Sequence, residues 1–121
     1  MTSREIESEN SPPMEPLLDA LGTEMNREIL SALDEPMTAA ELVEQCDIPT
    51  STMYRKLDVL SEVGLVKEHL AVDSRSGRCS LYERNVERIS VSVSGDGGLT
   101  VRVEGANGSL DAEKTWGAVE N

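Results

Sequence analysis

Phenylalanine is absent from this chain, and only Tyr54, Tyr82 and Trp116 supply aromatic rings. A core without large rings must be packed from aliphatic side chains, and the 38% hydrophobic share allows one of modest size. Histidine occurs once, at His69, and cysteine twice, at Cys46 and Cys79, far apart and without metal-ligand spacing. That scarcity argues against a resident metal site and a disulfide framework, and it predicts free thiols in a reducing compartment. No Gly-rich phosphate loop and no nucleophile–base pairing is visible, so the chain reads as non-enzymatic, with no cofactor expected. No apolar run approaches the roughly 18 residues of a membrane span. Residues 1–14 are acidic and lack the apolar stretch of a signal peptide. A cytoplasmic protein that avoids the membrane is expected.

Lysine is scarce as well: Lys56, Lys67 and Lys114 stand against eight arginines, in a chain of net charge −12. An acidic, lysine-poor surface suits a cytosol near molar salt, where charge maintains solubility, so a halophile is inferred. An acidic protein that binds basic partners would show the same total. The charge is unevenly spread. Residues 1–46 carry 2 basic and 11 acidic side chains, and residues 85–121 carry 3 and 6. Residues 47–84 carry 6 of each, more than half of all the basic residues.

Residues 1–14, interrupted by Pro12 and Pro13, read as a disordered acidic tail. Pro16 can open a short helix over Leu17–Leu21. A second helix is expected at about Glu24–Leu33, with Met25, Ile29, Leu30 and Leu33 on one face, ended by Asp34-Glu35-Pro36. Thr38 and Glu41 have capping-box spacing at the head of a helix Thr38–Cys46, whose apolar stripe is Leu42, Val43 and Cys46. Asp47-Ile48-Pro49 then turns into a helix Thr50–Glu62, with Met53, Leu57, Leu60 and Val63 inward and Gly64 as the stop. Strands at Leu65–His69 and Cys79–Arg84 flank a polar loop, Leu70–Arg78, in the pattern of a wing. A cleaner hairpin follows. Ile89, Val91 and Val93 alternate with polar residues, as do Leu99, Val101 and Val103, around a glycine-rich turn. The expected organisation is a domain over 15–84, a hairpin extension over 85–105 that could serve dimerisation, and a flexible tail over 106–121. Whether the hairpin packs on its own domain or across a dimer stays open. The class is α+β: a winged helix-turn-helix of three to four helices and a two-stranded wing, with an additional C-terminal β-hairpin.

Two short helices joined by a tight turn are the arrangement that places a second helix in the DNA major groove. With Met53, Leu57 and Leu60 inward, Thr50, Ser51, Tyr54, Arg55 and Asp58 face outward. Arg55 can bind guanine O6 and N7 in bidentate fashion, Thr50 and Ser51 can reach bases or phosphates, and Tyr54 can pack on a thymine methyl. Thr52 and Lys56 are placed as phosphate contacts. Cys46 reads first as a small buried hydrophobe. Cys79 follows Arg78, a cation that lowers a neighbouring thiol pKa, which makes it a candidate redox residue.

Met25–Arg84 resembles the ArsR-type winged-helix repressors. The likeness rests on the run NREILSALDEPMTAAELVEQCDIPTSTMYRKLDVLSEVGLV, with its T-x-x-E-L opening, Ser/Thr-rich second helix and L-x-x-L-x-x-x-G-L-V exit. With the acidic composition, a haloarchaeal regulator of this type is expected. The resemblance implies a homodimer that represses by sequence-specific binding to double-stranded DNA. It places Thr50, Ser51, Thr52, Tyr54 and Arg55 at bases or nearby phosphates, and Arg75 and Arg78 of the wing at the backbone or minor groove. The chain departs from the family twice. Glu41-Leu42-Val43-Glu44-Gln45-Cys46 lacks the Cys-x-Cys cluster of metal-sensing members, and a hairpin stands where a long dimerisation helix is typical. Two other readings remain: a winged helix that contacts proteins of the transcription machinery, and a thiol-responsive regulator using Cys79.

Overall fold

The computed structural model of the chain describes residues 14–73, 77–105 and 112–117. It begins with α1 (Met14–Leu21), α2 (Glu24–Ala32), a two-residue β1 (Met37–Thr38), α3 (Ala39–Cys46) and α4 (Thr50–Glu62). Five strands follow: β2 (Val66–Asp73), β3 (Gly77–Arg84), β4 (Val86–Val93), β5 (Leu99–Gly105) and β6 (Ala112–Trp116). They form two antiparallel sheets, ordered β1-β3-β2 and β4-β5-β6.

Each helix forms where the apolar spacing put one. In α1 the buried residues are Met14, Leu17 and Ala20, so the helix starts three residues before the expected Leu17. Met14, assigned to the tail from sequence, is only 1% exposed; the rest of that tail lies outside the described residues. The last turn of α1 is closed from α2. Asn26 Nδ2 donates to the Ala20 carbonyl at 2.9 Å and the Arg27 guanidinium to the Leu21 carbonyl at 2.8 Å. These satisfy oxygens that a helix end leaves without internal partners.

The capping box forms as spaced. Thr38 Oγ1 accepts from the Glu41 amide at 3.1 Å, and the Thr38 amide donates to Glu41 Oε1 at 2.9 Å. Thr38 also pairs with Leu81 of β3, so this cap fixes α3 to the sheet. Thr38→Ala should lower stability by about 1 kcal/mol, read as a fall in the midpoint of thermal or denaturant unfolding. At the far end of α4, the Leu65 amide reaches the Leu60 carbonyl at 2.9 Å and the Gly64 amide reaches Ser61 at 3.1 Å. This is a Schellman closure. It needs a left-handed residue, and Gly64 takes it at φ 85°.

The C-terminal strands settle the question that the sequence left open. Val101, Val103 and Ala112 are buried in the same cluster as Met14, Leu17 and Leu57. The second sheet therefore packs within the subunit. It has three strands, because residues 112–116, expected to lie in a flexible tail, form β6. Ala112, Lys114 and Trp116 pair with Val103, Val101 and Leu99 and share their face of the sheet. One of those inward positions is lysine, which hid the strand from a hydropathy reading. Lys114 is 4% exposed, and its ammonium lies 5.0 Å from the centroid of the Trp116 ring, a cation–π contact. The Trp116 indole N–H donates to Glu15 Oε2 at 3.1 Å, tying β6 to α1. Residues 106–111 and 118–121 lie outside the described residues.

Candidate nucleic-acid interface

The three residues between α3 and α4 set their crossing. Asp47 adopts the left-handed conformation at φ 57° and ψ 47°, which stops α3. Aspartate is among the few residues that visit this region readily. Ile48, 4% exposed, anchors the turn in the core. The Pro49 carbonyl accepts from the Met53 amide at 2.8 Å and so begins α4.

On α4, Met53, Leu57 and Leu60 are fully buried, as their spacing required. Thr50, Ser51 and Arg55 are exposed, and Tyr54 is 49% exposed. Thr52 is half-buried and accepts a long 3.4 Å hydrogen bond from Arg55 Nη2, which leans the guanidinium over the first turn. Among the described residues no side chain caps the N-terminus of α4, and its first turn holds no acidic residue. The first-turn amides are thus left for an external acceptor, and a phosphate is the natural one. The acids of α4, Asp58 and Glu62, stand in its second half. Lys56 is half-buried and lines a cleft towards α1 and α2, on the flank of the helix and away from its outward face.

The wing is mostly strand. β2 and β3 pair without interruption from Val66↔Arg84 to Asp73↔Gly77. Leu70–Asp73 and Gly77–Arg78, expected within a loop, are therefore strand, and residues 74–76 lie outside the described residues. Leu70 and Val72 continue the alternation of β2, and cross-strand pairing overrode the polar composition that had pointed to a loop. Beyond the domain this ladder has no cover: Leu70 is 75% and Val72 88% exposed. Arg78 lies on β3 in register with Val72. Arg75 lies outside the described residues.

A residue given no role from the sequence, Tyr82, joins all three strands of the wing sheet. Tyr82 of β3 is 4% exposed and pairs with Met37 of β1 and Glu68 of β2. Burial first, and then the nearby Glu68 carboxylate that accepts its hydrogen bond, push its hydroxyl up to about 12; Tyr54 and Asp58 add to the effect. Tyr82 is thus buried at the centre of the wing sheet, within electrostatic reach of Tyr54 and Asp58 on α4. The available signal was an aromatic ring at an inward strand position.

His69 Nε2 meets Glu83 Oε1 at 2.9 Å across β2 and β3. Among the described residues no group of three His, Cys, Asp or Glu side chains is placed to hold a metal ion. Cys46 and Cys79 are both free and half-buried. Burial, and then the charge of Glu28, push the Cys46 thiol above its usual range. Cys79 sits opposite Ala71 in the wing ladder.

Residues 21–69 match the family model of a helix-turn-helix domain. The match spans α2, α3, α4 and the first half of β2, and stops before the wing tip and the C-terminal sheet. No curated protein matches the chain by sequence. With the β2–β3 hairpin beside α4, the architecture is a winged helix-turn-helix of α+β class, extended by a second sheet. It is the build of a DNA-binding regulator.

Proposed function

We propose that this protein is a sequence-specific DNA-binding transcriptional regulator, a repressor of the ArsR-like type, acting as a cytoplasmic homodimer without enzymatic activity. The observation that carries the reading is the polarity of α4. Its uncapped, acid-free first turn presents Thr50, Ser51, Tyr54 and Arg55 outward, with the acids kept to the second half. Double-stranded DNA offers what this end can use: phosphates for the amides and base edges for Arg55. The wing contributes Arg75 and Arg78 to the backbone or minor groove, and the exposed Leu70 and Val72 add contact that salt does not weaken. Such contact matters in a halophile, because phosphate pairing alone fades steeply with salt.

Dimerisation is assigned to the edge strand β4. There Val91 and Val93 remain 59% and 73% exposed, although they face the same way as the buried Val101 and Val103. These two valines also favour a second reading, in which the winged helix docks on a protein of the transcription machinery. Genome-wide binding of the tagged protein separates the two. A recurrent, two-fold symmetric motif is expected; enrichment without any shared motif would overturn the DNA-reading proposal.

The wing supplies a separate expectation. Arg75→Ala and Arg78→Ala should weaken binding to all duplexes alike and flatten the dependence of affinity on salt, each by about one counterion. Titrations over a range of potassium chloride concentrations measure that slope. An unchanged slope would remove the wing from the interface.

A further inference from the structure

A cleft of about 500 Å³ opens between α1, the start of α2 and the flank of α4. That volume lies within the range of small-ligand pockets, roughly 300–1,000 Å³. Its α4 wall is a stripe at three-residue spacing: Lys56, Val59 and Glu62, in the order cation, aliphatic, anion. The ends of that stripe are about 9 Å apart along the helix axis at 1.5 Å per residue. Val59 is 42% exposed, an apolar side chain on α4 that the protein leaves uncovered. Asp19 of α1 brings a second carboxylate from the opposite wall.

The floor of the cleft is a buried polar side chain. Asn26 lines the cleft and is 3% exposed. Its Nδ2 donates to the Ala20 carbonyl, which fixes the side chain in the floor, and its Oδ1 is buried with no hydrogen-bond partner among the described residues. The same cleft thus offers one cation, two anions and an aliphatic surface between them.

We propose that this cleft binds a small linear zwitterion, an amine and a carboxylate separated by a short aliphatic chain. The ligand carboxylate pairs with Lys56, and its methylenes cover Val59 and Val63. Its ammonium is held by Glu62 and Asp19. Because Lys56, Val59 and Glu62 belong to α4, an occupied cleft acts directly on that helix; the consequence for DNA affinity rests on the function proposed above.

The test uses the full-length, isotope-labelled protein without DNA, so a chain that bound no duplex would leave the measurement intact. δ-Aminovalerate is titrated and compared with pentylamine and with pentanoate, each of which keeps one charge. Saturable shifts are expected at the Asn26 side-chain amide and at the Val59 and Val63 backbone amides. The two single-charge probes should bind about tenfold or more weakly, the loss expected for one charge-assisted contact. Asp19→Asn, on an exposed position of α1, should weaken δ-aminovalerate while leaving the rest of the spectrum unchanged. Truncation of the buried Asn26 could disturb folding, so the Asp19 variant carries the comparison. No saturable shift at millimolar concentration, equal response to all three probes, or equal binding by the Asp19 variant would each overturn the proposal.

Discussion

Arg55→Ala is expected to lower affinity for the preferred duplex by about 1–3 kcal/mol, the loss typical of one bidentate base contact. The expectation rests on placement. Arg55 is exposed on the outward side of α4, one turn from its N-terminus, and its guanidinium leans on Thr52 without any carboxylate partner among the described residues. A planar fork so placed can meet guanine O6 and N7 together, whereas lysine offers a point charge. Arg55→Lys should therefore recover general affinity but not base preference. Binding selections on randomised duplexes would show the preference relaxing at one position per half-site. Arg55 is solvated, so both variants should keep the parent's melting temperature. A fall in affinity equal on every duplex would make Arg55 a phosphate contact and move base reading to Tyr54 or Ser51.

A chain stopped after Gly105 should lose stability by about 2–4 kcal/mol, from the apolar area that β6 covers on Val101 and Val103. The truncated extension would be a two-stranded hairpin, an arrangement that is marginal in water without a third strand or a packing partner. Val101 and Val103 are 1% and 0% exposed in the intact sheet, and both pair with β6 residues as neighbours. The cut also removes the Trp116–Glu15 hydrogen bond, the only one described between β6 and α1. Denaturant unfolding of the two chains gives the difference directly, and the truncated form should expose more apolar surface to dye. An unchanged midpoint would mean that β6 contributes nothing to the core. Trp116→Ala offers a milder version of the same comparison, expected to fall between the parent and the truncated chain.

The two expectations differ in how they could be reached. Arg55 was legible from sequence because helical periodicity alone sorts α4 into inward and outward sets. Met53, Leu57 and Leu60 lie close in sequence, and their burial fixes where Arg55 points. β6 was not legible. Its partner strand lies about a dozen residues away, its inward positions include a lysine, and alternation over five residues is too short a signal. Tyr82 and the Lys56 side of α4 belong with β6. Each takes its role from an element distant in the chain, β1 and β2 in the first case and α1 in the second.

By itself the sequence determined the helix-turn-helix: the Thr38–Glu41 cap, the Asp47–Pro49 turn, the inward face of α4 and its Gly64 stop. All of these are set within a few residues by hydrogen bonds and periodicity, so local chemistry suffices. The tertiary structure alone decided the length of the wing, the third strand of the C-terminal sheet, its docking on the subunit's own core and the cleft behind α4. Those depend on pairing and burial between segments far apart in the chain, where a residue's fate is fixed by the surface it meets.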